Sequence, residues 1–176
     1  QVRDKDGAFW SATTNGKLFQ VNGGDHITFD GYGAEFKMRK SQYLAAPYEP
    51  SESRIGLAVY GAKDVTICGL AIKDCGGDGI YLDTFNIGNV LVKDVLLDNN
   101  YRNGMSVISV DTLTIDNVTI QNTSGTAPQY GIDFEPNQNI DRLVNIVMKD
   151  CTLLNNAAGG IVVSPGNLDG SSQPVS

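Results

Sequence analysis

The sequence has little positive charge and no long apolar run. Its 13 lysines and arginines are outnumbered by 20 aspartates and glutamates, which gives a net charge of -7. A nucleic-acid partner is therefore not expected, because binding to a phosphate backbone needs a basic patch. No apolar run approaches the ~20 residues that cross a bilayer, so no membrane partner is expected either.

Cysteine and histidine are also scarce. Cys68, Cys75 and Cys151 are odd in number and widely spaced. They fit neither a disulfide framework nor a paired zinc motif, and we interpret them as small buried apolar side chains. The single histidine, His26, precedes the first clear repeat, and we interpret it as a structural or surface residue. Residues 1–6 lack the pattern of a signal peptide, so we expect a removed leader or a piece of a longer protein.

A repeated motif, a glycine followed by alternating apolar residues, organises the chain. The glycines are separated by 23, 25, 27 and 29 residues and are Gly56, Gly79, Gly104, Gly131 and Gly160. The first four repeats carry two further apolar stretches and then a turn-forming residue, which is Asp74, Asn99, Asn122 or Asn155. Alternation and β-branched residues predict strands, and asparagine and aspartate tolerate the left-handed backbone of a sharp corner.

These repeats predict an all-β chain folded as a right-handed parallel β-helix of about six coils. We expect one domain over 1–176, with a lead-in over 1–17, coils over 18–165, and a linker or the start of a further coil over 166–176. The coil that opens at Gly160 lacks its later strands, and terminal coils of a solenoid need caps. The chain is therefore expected to be an incomplete portion of a longer helix.

Two resemblances add to this pattern. The Gly-Ile openings, the asparagine corners and the segment ITFDGYGAEF resemble the pectate-lyase-like superfamily of right-handed β-helix proteins, over roughly Leu18 to Pro165. The resemblance implies a polysaccharide partner, and we accordingly expect a secreted protein, extracellular or periplasmic. The strand YGIDFE is similar to the YGFDPH strand of mannuronan C5-epimerases, in which tyrosine, aspartate and histidine act together. Tyr130 and Asp133 match that strand, whereas Glu135 stands in place of its histidine.

The outward positions of the strands that follow the glycines define the candidate site. Residues i and i+2 of a strand face the same side, so the neighbours of the inward apolar residues project outward. Sugar rings stack on aromatic faces and pair their hydroxyls with acids and amides. The predicted substrate-binding residues are Tyr60, Tyr81, Arg102, Ser106 and Tyr130. Extra residues over 124–130 and 136–145 predict two walls beside the strand of Asp133 and Glu135, since long loops on rigid scaffolds carry function.

The favoured function is that of a glycoside hydrolase. Asp133 and Glu135 lie two residues apart on one strand, which places their backbones ~7 Å apart, and Asp83 is expected ~10 Å from Glu135. Glycosidases need two carboxyl groups at comparable separations. We therefore predict Asp133 and Glu135 as the catalytic pair, with Asp83 in support.

Two alternatives remain open. In a polysaccharide lyase or uronate C5-epimerase, Asp83, Asp133 and Glu135 would hold calcium against a uronate, with Arg102, Lys93 or Tyr130 as the base. Calcium is the cofactor that this alternative implies, and the sequence indicates no other cofactor. A non-catalytic glycan-binding adhesin or phage tailspike segment, assembled as a homotrimer, is the other alternative.

Overall fold

A computed structural model describes residues 2–3, 16–49, 51–83 and 88–176. Regular structure in these residues is almost entirely β-strand, with one 3-10 turn at Gln42–Leu44. No helix in them is long and apolar enough to cross a membrane. The strands are β1 (Val2–Arg3), β2 (Phe19–Asn22), β3 (Asp25–Lys37), β4 (Ser53–Arg54), β5 (Leu57–Tyr60), β6 (Lys63–Lys73), β7 (Gly76–Gly77), β8 (Ile80–Asp83), β9 (Asn89–Asp98), β10 (Met105–Val107), β11 (Thr112–Gln121), β12 (Tyr130–Phe134), β13 (Ile146–Lys149), β14 (Thr152–Leu154) and β15 (Gly159–Val163).

Successive strands alternate between two large parallel sheets. The six-stranded sheet has the order β2-β5-β8-β10-β12-β15. The seven-stranded sheet has the order β1-β3-β6-β9-β11-β13, and β14 also pairs with β11. A two-stranded antiparallel sheet joins β4 and β7. The all-β class and the parallel strands are confirmed, whereas the count of about six coils and the predicted boundaries stay predictions. Residues 1 and 4–15 of the predicted lead-in lie outside the described part of the chain.

The repeat glycines set the register of the six-stranded sheet. Two rows of paired residues cross it, Leu57-Ile80-Met105-Ile132-Ile161 and Val59-Leu82-Val107-Phe134-Val163. The alternation after each glycine predicts that Ile80, Met105, Ile132 and Ile161 form one buried column and that Val59, Leu82, Val107, Phe134 and Val163 form the next. Both columns are found in these rows, and the members of the rows from β5 to β12 are buried. The expected burial is wrong for Ile161 and Val163, which are 44% and 52% exposed, because no described strand covers the free edge of β15.

The turn-forming residues adopt the predicted left-handed backbone. Their φ angles are 53° at Asp74, 55° at Asn99, 59° at Asn122 and 54° at Asn155. The side chain of Asn99 donates from Nδ2 to Asp74 Oδ1 at 2.7 Å, so these corners are also linked from repeat to repeat. A repeat glycine serves a different purpose, since a Cβ at Gly104 would collide with the side chain of Ile120.

The two large sheets share one apolar interior. A single cluster of buried side chains contains Met105 and Ile132 of the six-stranded sheet together with Ile115 of the seven-stranded sheet. All three cysteines are unpaired, as predicted, although only Cys75 is fully buried. The outer faces of the sheets are then left to carry polar side chains.

Candidate functional site

A cleft of about 200 Å³ lies on the outer face of the six-stranded sheet. It brings together five of the predicted site residues, namely Tyr60, Tyr81, Asp83, Arg102 and Glu135. The segment before Gly56 adds Glu52 and Ser53, and the segment after Glu135 adds Asn137. Outward positions of separate repeats therefore form one continuous surface, as the alternation predicted.

Tyr60 and Tyr81 form an aromatic platform in this cleft. Their ring centroids are 6.1 Å apart, with 52° between the ring planes. They lie on the adjacent strands β5 and β8, and Tyr60 pairs in register with Asp83. Burial, and then the charge of Asp83, raise the pKa of both phenols. Both hydroxyls are therefore protonated and able to donate a hydrogen bond to a ligand.

Arg102 lies at the centre of a group of carboxylates. Its Nη1 is 3.2 Å from Asp78 Oδ2, and its Nη2 is 3.6 Å from Glu135 Oε2. Its Nε is 3.4 Å from Glu52 Oε2. Burial acts to lower the pKa of Arg102, but Asp78, Glu52 and Glu135 together raise it. The guanidinium is thus a fixed charge that joins three separate segments of the cleft.

Asp78 is a buried carboxylate that the sequence analysis did not single out. Its side chain is 2% exposed, and its Oδ1 accepts the backbone N–H of Asn103 at 2.9 Å. Burial raises the pKa of Asp78 to about 6, although Arg102 and the Asn103 N–H favour its charged form. Perturbed carboxyl groups in a cleft are common at functional sites.

A signal for Asp78 exists in the repeat itself. Asp78 and Asn103 each stand directly before a repeat glycine, and both are fully buried polar residues. In the flanking repeats the same position holds Ile55 and Tyr130. Aligning the residue before each glycine, rather than only those after it, would have identified this polar pair.

Asp133 and Ser106 lie beneath the cleft instead of on its surface. They are only 2% and 1% exposed, so the expected exposure of these two side chains is wrong. Asn103 covers them, because its Nδ2 lies 3.0 Å from Ser106 Oγ and 3.3 Å from Asp133 Oδ2. Burial, and then the charge of Glu135, raise the pKa of Asp133, whose Oδ1 is buried with no hydrogen-bond partner. Their assignment as catalytic and substrate-binding residues stays a prediction.

Other predicted features lie away from the cleft. Tyr130 does not line it, and its ring packs against Gly159 of β15. Lys93, considered as a base, lies on β9 of the seven-stranded sheet. The 124–130 loop does not line the cleft either, so that predicted wall is wrong, whereas the 136–145 segment contributes Asn137. The second wall is formed by the segment before Gly56.

The three carboxylates considered as calcium ligands do not converge on one point. Among the described residues, one group of three acidic, histidine or cysteine side chains has ligand atoms within 4.8 Å of one another, and it is Asp25, His26 and Asp64. In the cleft, the guanidinium of Arg102 occupies the space between carboxylates. Because Ca²⁺ takes about 6–8 oxygen ligands, the cleft would have to rearrange before it could hold this ion.

Comparison with known proteins places the chain in a family. The family model described as "Right handed beta helix region" matches residues 15–171. In Bacillus subtilis (strain 168), the uncharacterized protein YclG is 25% identical over 130 residues, covering 66% of this chain and 22% of that protein. The SPbeta prophage-derived uncharacterized protein YorA of the same strain is 26% identical over 123 residues, covering 60% of this chain and 21% of that protein.

The chain spans about a fifth of the length of these curated relatives. No solved structure gives a significant match. The family match extends over most of the chain and agrees with the parallel sheets described above. The chain therefore belongs to the right-handed β-helix family.

Proposed function

We propose that the cleft binds a polysaccharide and that the chain is part of a secreted glycoside hydrolase. The observation that carries the proposal is the pairing, in one cleft, of the Tyr60–Tyr81 platform with the carboxylates Asp83 and Glu135. Pyranose rings stack on aromatic faces, while carboxylates and phenols hydrogen-bond to sugar hydroxyls. The resemblance to the pectate-lyase-like superfamily supports the same class of substrate and an extracellular or periplasmic location.

The catalytic pair that the cleft favours is Asp83 with Glu135. One strand, β10, separates them, because Ile108 N–H bonds to Leu82 O and Glu135 N–H bonds to Val107 O. Strands lie ~4.8 Å apart, so their backbones are about 10 Å apart, which is close to the roughly 6.5–9.5 Å between the carboxyl groups of inverting enzymes. Asp133 lies buried beside this pair, where Asn103 covers it.

The two carboxyl groups then have separate tasks. The contact with Arg102 at 3.6 Å fixes the position of Glu135 in the cleft, and we assign Glu135 the role of the base. Glu135 takes a proton from water as the water oxygen bonds to the anomeric carbon. Asp83, which is charged beside the two phenols, first takes up a proton from solvent and then gives that proton to the departing glycosidic oxygen.

The test is product analysis on the glycans that the protein recognises on an array. A hydrolase releases new reducing ends with no unsaturated, ultraviolet-absorbing product. Glu135→Gln is expected to lower turnover about 100-fold or more without affecting folding, because it removes proton transfer but keeps the shape. Asp116→Asn, on the seven-stranded sheet, is the matched control and should retain the full rate. Full activity in Glu135→Gln would place catalysis elsewhere.

A lyase or a uronate C5-epimerase is a second candidate, favoured by the similarity of Tyr130 and Asp133 to the epimerase strand. It predicts an ultraviolet-absorbing product or an altered uronate, and loss of activity when calcium is chelated. Asp83, Asp133 and Glu135 would then be tested as calcium ligands by titration calorimetry.

A non-catalytic glycan-binding protein is a third candidate. It is favoured by the contacts of Asp78 and Glu135 with Arg102, which resemble a structural ion-pair cluster, and by the relative YorA, whose name describes it as prophage-derived. It predicts glycan binding without any product. A homotrimer in light scattering would support assembly of the tailspike kind.

A further inference from the structure

A second cavity lies next to the cleft and is lined by three tyrosines. It measures about 170 Å³, and its lining residues are Tyr43, Leu44, Tyr48, Ser51, Gly76 and Tyr101. Ser51 lines this cavity, and the next residue, Glu52, lines the cleft, so the two sites are neighbours along the chain. We call this cavity the tyrosine pocket.

One side of the tyrosine pocket is a rigid aromatic pair. The rings of Tyr43 and Tyr48 meet edge to face, with centroids 5.1 Å apart and 79° between planes. Tyr43 is only 4% exposed. Gly76 provides close contact below it, since a Cβ there would lie 2.5 Å from Tyr43 Cδ2. This wall is therefore shaped before any ligand arrives.

Another wall of the pocket is Tyr101, which the 124–130 loop holds in place. The backbone N–H of Tyr101 donates to Cys75 O at 3.0 Å and to Gly77 O at 3.1 Å. Its carbonyl accepts the N–H of Thr126 at 2.9 Å, and Gly125 packs directly against its ring. The inserted loop, which does not line the cleft, thus has a place in the structure as the support of Tyr101.

The positive charge of Arg54, next to the tyrosine rings, limits the charge of the ligand that the pocket can bind. It is 1% exposed, and its guanidinium carbon lies 5.0 Å from the ring centroid of Tyr43 and 5.8 Å from that of Tyr48. Aromatic cages bind quaternary ammonium ligands through such ring faces. Here a cation of the protein already occupies faces of these rings, and the lining residues include no carboxylate. A cationic ligand is disfavoured, and a neutral ring fits.

We propose that the tyrosine pocket is a second sugar-binding site that holds one neutral pyranose ring of the glycan bound in the adjacent cleft. The ligand class rests on the proposed function of the cleft. The volume is below the roughly 300–1,000 Å³ of pockets for drug-sized ligands, which restricts the occupant to about one ring. A pyranose offers a C–H face to the partly exposed rings of Tyr48 and Tyr101 and carries no charge that Arg54 would repel.

The test uses the amide resonances of Ser51, Gly76 and Tyr101 in two-dimensional NMR, with the methyl pyranosides of glucose, galactose and mannose as millimolar probes. At least one of them is expected to shift these resonances. Tyr101→Phe keeps a stacking ring and should retain the shifts, whereas Tyr101→Ala should weaken binding about tenfold or more. If Tyr101→Ala fails to fold in thermal unfolding, Ser51→Trp, which fills the pocket and removes no ring, should abolish the same shifts.

The outcomes separate this site from the cleft. Shifts confined to cleft amides such as that of Asp83 would overturn the tyrosine pocket and leave the proposed function standing. Shifts at the pocket amides in the natural chain, together with no product from any glycan that this chain recognises, would uphold the pocket and refute the hydrolase. A response to tetramethylammonium in place of the pyranosides, or no response at the three pocket amides, would overturn the inference.

Discussion

The two large sheets have one interior in common but differ on their outer faces. On the six-stranded sheet and the turns beside it, Asp78, Ser106 and Asp133 are polar residues that are at most 2% exposed. On the seven-stranded sheet, polar groups form partly exposed ion pairs such as Lys149–Asp116 at 3.0 Å. Exposed ion pairs contribute only ~0–1 kcal/mol, whereas a buried polar group without a full set of partners costs about 1–3 kcal/mol. We therefore expect function on the outer face of the six-stranded sheet, because this face keeps buried polar groups that lower the stability of the fold.

The largest expected effect tests the common interior. Ile132→Asp in the six-stranded sheet and Ile115→Asp in the seven-stranded sheet should both unfold the chain, because each places an unpaired charge at a fully buried position at a cost of several kcal/mol. Ile161→Asp is the control, since Ile161 is 44% exposed, and it should remain folded. Circular dichroism on heating reports all three. A folded Ile132→Asp protein with intact chain packing would contradict the description of a single interior.

A smaller expected effect is the pH dependence of stability that the buried Asp78 causes on the outer face of the six-stranded sheet. Burial raises the pKa of Asp78 to about 6 from 3.8, so the folded chain holds this proton more tightly than the unfolded chain. The stabilisation is present below pH ~4 and is lost as the pH rises through about 6, by up to about 3 kcal/mol.

The variant that isolates this effect is Asp78→Asn, which has the same shape and no titrating group. Its free energy of unfolding relative to the natural chain should increase as the pH rises from about 4 to above 6. Urea denaturation at several pH values measures the difference. A difference that does not change with pH would mean that Arg102 fully compensates the buried charge.

The smallest expected effect comes from comparing an outward residue of β10, Ser106, with an outward residue of the next strand in the chain, Thr114 of β11. Ser106 Oγ accepts from Asn103 Nδ2 at 3.0 Å and from Arg102 Nη1 at 3.3 Å. Ser106→Ala should cost about 1–3 kcal/mol, because it leaves buried donors short of an acceptor. Thr114→Ala on β11 is partly exposed and should stay within about 0.5 kcal/mol. Equal costs at the two positions would remove the contrast between the faces.

Pairing between repeats could be predicted from the sequence because it depends on local features. The glycine and the alternation that follows it place Met105 between Ile80 and Ile132. The left-handed corners at Asn99 and Asn122 follow from the residue type alone. Each of these predictions needs only the spacing within one repeat.

Burial on the outer face could not be predicted in the same way. Asp133 and Glu135 point outward from the same stretch of chain, yet Asp133 is 2% exposed and the side chain of Glu135 is 39% exposed. The difference arises from Asn103, which comes from the preceding repeat and covers only one of them. Loop placement is equally non-local, since the 124–130 insertion packs on Tyr101 and not beside the cleft. Alternation gives the direction of a side chain but not what covers it.

The unshifted register of β5, β8, β10 and β12 has a consequence for how this chain can evolve. Duplicating or deleting one whole repeat would keep the strand pairing in register, so we expect the two sheets to survive such a change. A repeat inserted between β8 and β10 would move Asp83 away from Glu135 by one strand spacing, ~4.8 Å, while the interior rows stayed aligned. The distance between the two carboxylates can thus change only by whole strand spacings. A single duplication or deletion of a repeat would lengthen or shorten the cleft by one such spacing.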